Sequence, residues 1–137
     1  MDLIRIIYSS QPFGFDESIL RNVLLDARRW NERSDVSGAL ICRHDIYLQY
    51  LEGPAKAVGD AFERIRRDDR HIEVVMRVSE PVDARLFGKW SMMHDPARSW
   101  IWNEDDIAKG ALDNASDDQF RKIFTDLATQ AASSAAD

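Results

Sequence analysis

Two apolar runs, VSGALIC at residues 36–42 and IYLQYLE at 46–52, are separated by only RHD. Three residues cannot carry a crossover, so the runs are expected to form an antiparallel hairpin turning near His44 and Asp45. This hairpin constrains everything around it. Upstream, LIRIIYS (3–9) is a strand leading into the turn-prone SSQPFGFD. A helix capped by Asp16 or Ser18 then runs to about Asn31. Leu20, Leu24, Ala27 and Asn31 recur at helical spacing, so Asn31 ends an apolar stripe as an inward polar group.

Downstream, Gly53-Pro54 opens a second helix with the stripe Ala55, Val58, Phe62 and Ile65, and RIRRDDR forms its solvated end. IEVVMRVSE (72–80) reads as a fourth strand closed by Pro81, and KWSMMHD (89–95) as a fifth. The order predicts an α+β, ferredoxin-like βαββαβ fold with an added fifth strand and both helices on one sheet face. Right-handed crossovers are expected to set strands one and three side by side and parallel at the centre. Tyr8 then shares a face with Ile4 and Ile6, and Gln49 with Tyr47 and Leu51. Parity alone leaves open which face carries the helices.

The tail has its own punctuation. Asn103-EDD, ended by Gly110, is a short capped helix, and SDDQ (116–119) has capping-box spacing. Phe120, Ile123, Phe124, Leu127 and Ala131 then form an amphipathic stripe, before QAASSAAD as a frayed end. That stripe must cover the sheet face left bare by the first two helices, or a partner.

Bulk properties narrow the function. A net charge of −6 argues against bulk nucleic-acid or anionic-membrane binding. Cys42 is the only cysteine, which excludes an internal disulfide and a zinc signature. MDLIRIIYSS lacks a basic n-region, and no run approaches the ~20 apolar residues that cross a bilayer, so the expectation is cytoplasmic with no membrane contact. There is no Gly-rich phosphate loop, H-x-x-x-H pair or nucleophile elbow. His44, His71 and His94 read as surface or edge histidines, and no metal is expected.

The expensive residue is Gln49, a primary amide between Leu48 and Tyr50. Burying an unpaired amide costs roughly 2–7 kcal/mol, so the fold or a ligand must bond it. Tyr8, Asn31, Trp90 and Met92 fall on neighbouring elements. Singly, each has an ordinary explanation: a phenol on a carbonyl, a helix-capping Asn, a Gln bridging strands. Together they suit a flat heteroaromatic ring with an imide edge.

The ordered set IRIIYSS, ARRWN, VSGALI, YLQYLEGP, VGDAFERIRRDDRH and FGKWSM resembles the BLUF family, blue-light sensors that hold FAD, over about residues 3–94. The resemblance implies a photosensor domain at 1–97 and a helical extension at 98–137, with Tyr8 and Gln49 facing the helices. It implies that Asn31 bonds the imide edge and that Gln49 lies between the Tyr8 hydroxyl and the flavin. Arg64 and Arg70 are implied on the flavin or its phosphate side. Trp90 and Met92 match the pair that relays the signal through strand five, either of which packs beside the glutamine. Trp30 departs from the usual polar or imidazole residue before the Asn and is placed to stack on the flavin.

The implied function is photoreception: light drives an electron and a proton from Tyr8, and the Gln49 amide is left rearranged. The chain is then no enzyme, and it signals through the C-terminal helices to a separate protein, with a homodimer or higher oligomer as the candidate assemblies. A tail of about forty residues is too short for an effector domain. The competing readings are a non-photochemical ferredoxin-like module binding a metabolite or protein, and an acylphosphatase-type enzyme. The latter lacks its phosphate cradle here.

Overall fold

The computed structural model describes residues 2–12, 17–43, 46–68, 71–88, 90–95 and 104–136; Asp16, His44, Asp45, Arg70 and Asn103 lie outside the described residues. In chain order the elements are β1 (Leu3–Pro12), α1 (Glu17–Ser34), β2 (Ser37–Arg43), β3 (Ile46–Pro54), α2 (Ala55–Arg66), β4 (His71–Val82) and β5 (Met93–Asp95). Helices α3 (Glu104–Ala108), α4 (Ala111–Asn114) and α5 (Asp117–Ala136) follow. The strands form one sheet in the order β4-β1-β3-β2-β5, the ferredoxin-like arrangement with a fifth strand added beside β2.

β1 and β3 are central neighbours as expected, but they run antiparallel, with Tyr8 opposite Gln49. The expected parallel pairing is wrong for a topological reason. Each crossover skips one strand, making β1 parallel to β2 and β3 parallel to β4. The β2–β3 hairpin reverses β3 relative to β2, and therefore relative to β1. Only β5, beside β2, adds a parallel pair.

Four further boundaries differ from expectation. β5 is three residues long, so Trp90 and Met92 precede it instead of lying on it. β4 continues through Pro81 to Val82, tolerated because β4 is a sheet edge and needs no ladder donor on its outer side. Ala55 is exposed, and Ala61 joins Val58 and Phe62 as the buried stripe of α2. Helix α5 persists to Ala136 through the alanine-rich stretch expected to fray, consistent with alanine's high helix propensity.

Two cores sandwich the sheet. On one face, Ile6, Tyr8, Leu40, Tyr47 and Leu51 pack against Leu20 and Leu24 of α1 and Val58 and Phe62 of α2. On the other, Ile7, Ile41, Leu48 and Tyr50 are covered by Leu112 and by Phe120, Ile123, Phe124 and Leu127 of α5. The tail stripe therefore covers the bare face. Its helix starts at a capping box: the Gln119 N–H donates to Ser116 Oγ (3.2 Å) and the Ser116 N–H to Gln119 Oε1 (2.8 Å). Arg121 clamps it to the sheet by donating to both oxygens of Glu80, which also pairs with Arg5. Gly53 turns β3 into α2 at φ +152°, where a Cβ would sit 2.7 Å from the Asp35 carbonyl oxygen.

Candidate functional site

A cleft of about 550 Å³, solvent mouth included, opens between α1 and α2. Val23, Ala27 and Ile65 give it apolar walls, and Gln49 and Leu51 of β3 reach it from the sheet. Apolar walls with a few convergent polar groups are the character of small-molecule sites. The α1 periodicity that buries Leu20 and Leu24 brings Asn31 to the same side, 2% exposed. Trp30, one residue earlier, is half-exposed at the rim. The Arg64 guanidinium of α2 lies over its ring, 4.8 Å from the centroid, a cation–π contact that spans the cleft.

The two amides are oriented by one segment. Asn31 Nδ2 donates to the Ser91 carbonyl (2.8 Å), and Gln49 Nε2 donates to Met92 Sδ (3.3 Å). Of the pair Trp90 and Met92, therefore, Met92 lies beside the glutamine, 2% exposed, while Trp90 is 40% exposed. Among the described residues, the bonds recorded for both amides use their amino ends.

Tyr8 is opposite Gln49 on β1, fully buried, and edge-on to Phe62 at 5.5 Å between centroids. Among the described residues its hydroxyl has no hydrogen-bond partner. Burial, and secondarily the Asp68 carboxylate, hold this phenol well above its ordinary pKa. It is a neutral phenol with an unspent donor.

Several participants carried little or no signal. His71, expected as a surface or edge histidine, is buried and lines the cleft, its Nδ1 3.0 Å from Ser10 Oγ. Glu52, wholly buried on the opposite face of β3, accepts from the backbone N–H groups of Leu86 and Phe87 (both 2.6 Å) and from the Ser37 hydroxyl (2.8 Å). An acid inside an apolar strand is the same kind of anomaly as Gln49 and could have flagged it. Arg28 donates from Nε to the Met92 carbonyl (3.1 Å), and nothing in its spacing announces that. Arg70 is outside the described residues, and no group of metal-binding side chains occurs among those described.

Apolar walls, two amides and a phenol without a partner among the described residues fit a flat ring whose imide edge carries both donors and acceptors. Residues 3–93 match the family model described as sensors of blue light using FAD. The chain belongs to the BLUF family. Its cofactor is FAD, and the site residues present are compatible with it. It is 32% identical over 130 residues to the blue light- and temperature-regulated antirepressor BluF of Escherichia coli (strain K12), covering 93% of this chain and 31% of that protein. It is 40% identical over 58 residues to the photoactivated adenylate cyclase subunit alpha of Euglena gracilis, 42% of this chain and 6% of that one. The BLUF chain thus spans about a third, or less than a tenth, of these relatives. Among solved structures, the dark state of the BLUF protein BlrB superposes with a TM-score of 0.80 at 25% identity, over 94% of this chain and 97% of that one. The photo-activated state of BlsA superposes at 0.72 and 25% identity, over 90% and 92%. No described helix is long and apolar enough to cross a membrane.

Proposed function

We propose that this BLUF chain converts absorbed blue light into a changed hydrogen-bond pattern at Gln49 and transmits that change to a separate protein. Bound FAD supplies the light absorption and an excited state able to oxidise a neighbouring phenol. Asn31 and Gln49 would hold the imide side, Trp30 at the rim would stack on the ring, and Arg64 would reach the flavin or its phosphate side, the role the family resemblance implies for Arg70 as well.

The observation carrying this reading is the unpartnered Tyr8 hydroxyl opposite Gln49. Burial makes a bare phenolate costly there, so Tyr8 would give an electron to the excited flavin and then its proton through Gln49, and would recover both on recombination. The Gln49 amide carries the proton and ends rotated or tautomerised, with its bond to Met92 Sδ exchanged for another. One hydrogen bond is worth only about 0.5–1.5 kcal/mol net, so the responding element must be closely balanced between two arrangements.

That element is the segment between β4 and β5. Met92 reaches the cleft-side core, while Phe87 lies in the opposite core, 5.3 Å from Tyr50 and 6.4 Å from Phe124 of α5 between ring centroids. A shift at Met92 therefore has a packed route to the C-terminal helices. Residues 1–97 act as the sensor and 98–137 as its output surface, with no substrate turned over.

A dark-minus-blue absorption difference spectrum of the purified yellow protein tests the proposal. A small reversible red shift is expected, abolished in Gln49→Leu. A colourless protein, or a full shift in Gln49→Leu, would overturn it.

A further inference from the structure

The segment ahead of β5 is held by its carbonyl groups. Three consecutive ones are taken: Trp90 O by the Gly38 N–H (3.0 Å), Ser91 O by Asn31 Nδ2 (2.8 Å) and Met92 O by Arg28 Nε (3.1 Å). Arg28 and Asn31 are three residues apart on α1, so one helix face supplies two of the three bonds. We infer that Arg28 is a positioning residue of the switch: by holding the Met92 carbonyl it sets the Met92 thioether against the amide of Gln49.

Methionine has three rotatable side-chain bonds and packs adaptably, so its sulfur does not locate itself. A tether on the residue's own backbone removes that freedom where it matters, within one side chain of the 3.3 Å Nε2···Sδ contact. The donor is a guanidinium, which makes a stronger bond to a carbonyl than a neutral group does. The other two tethers have different duties. Gly38 contributes a backbone N–H from within β2, and Asn31 lines the cleft, whereas Arg28 bonds the segment without lining the cleft. It therefore separates the position of Met92 from the binding of flavin.

The inference rests on Gln49 and Met92 being the light-responsive pair, and the experiment keeps the two apart. Flavin-loaded full-length Arg28→Ala, labelled with 13C-methyl methionine, is compared with wild type, the Met92 signal being assigned through Met92→Leu. Three results are expected: an unchanged flavin-to-protein ratio, a displaced dark-state Met92 methyl resonance, and a dark-recovery rate altered by about two- to ten-fold, the range spanned by one net hydrogen bond. Arg28→Lys should return both signals towards wild type, which a general loss of packing would not allow. If Arg28→Ala folds poorly, Arg28→Leu, which keeps an aliphatic stem without a donor, replaces it. A wild-type Met92 resonance and recovery rate in the donor-less variant overturns the inference. A full red shift in Gln49→Leu overturns the underlying reading instead.

Discussion

Tyr8 and Gln49 are direct cross-strand partners on the antiparallel strands β1 and β3, both on the sheet face covered by α1 and α2. Side chains directly opposite one another in such a pair leave the sheet together, with Cβ atoms about 4.5–5.5 Å apart. Two neighbouring backbones thus hold the phenol and the amide in register. Each lies in the sheet centre, where neither strand can slip without moving its whole hydrophobic set to the wrong face.

A second buried phenol supplies the control for Tyr8. Tyr50 adjoins Gln49 in sequence but points to the opposite core, its hydroxyl beside Arg5 and Glu52. Tyr8→Phe should keep flavin and lose the red shift, whereas Tyr50→Phe should keep both. Visible difference spectra of the two variants check this; normal photoconversion of Tyr8→Phe would remove the phenol from the mechanism.

Asn31 lines the cleft and bonds the segment at once. Asn31→Ala should lower the flavin-to-protein ratio after purification. It should also destabilise the apoprotein by about 1 kcal/mol, because the Ser91 carbonyl loses its donor. Absorbance ratios and thermal melts of the apoprotein measure the two effects separately.

Glu52 anchors the other end of the same segment. Glu52→Ala strands two backbone N–H groups and a hydroxyl, and should cost about 2–3 kcal/mol or more in a urea titration. Glu52→Gln should not fully rescue it. Both carboxylate oxygens accept from N–H groups, and an amide would present one of them with another donor.

The clamp on α5 depends on pH. Hydrogen bonding from Arg121, opposed by burial and reinforced by Arg5, lowers the Glu80 pKa from its ordinary value to about 2. A depressed carboxylate stabilises the fold above its unfolded pKa and loses that contribution as protons bind. The stabilisation is thus complete above about pH 5 and disappears between there and about pH 2. Protease cleavage of α5 should accelerate on acidification through that window in the wild type. Glu80→Gln should be cleaved faster at neutral pH and respond less to acid; equal pH profiles would count against the clamp.

The element order, the cleft-facing stripe of α1 and the capped amphipathic α5 were legible from periodicity and end signals, which depend on residues close in the chain. Gln49 and Asn31 stood out because a polar group in an apolar pattern is a local anomaly. Glu52 was equally visible as an anomaly, but its partners at 37, 86 and 87 were not, since hydrogen bonding to a distant loop has no spacing rule. The direction of β1 against β3 was not legible, because it follows from two crossovers and a hairpin taken together, not from either strand.

The amino-acid sequence by itself determined the strands and helices, the inward amides of Gln49 and Asn31 and, through its ordered motifs, the family and its cofactor. These rest on side-chain periodicity and on residue types at set intervals. Only the tertiary structure decided that Met92, not Trp90, meets Gln49, and that Arg28 holds it there. The reason is physical: β5 begins only at Met93. The residues before it, outside any ladder, take their positions from distant donors on β2 and α1.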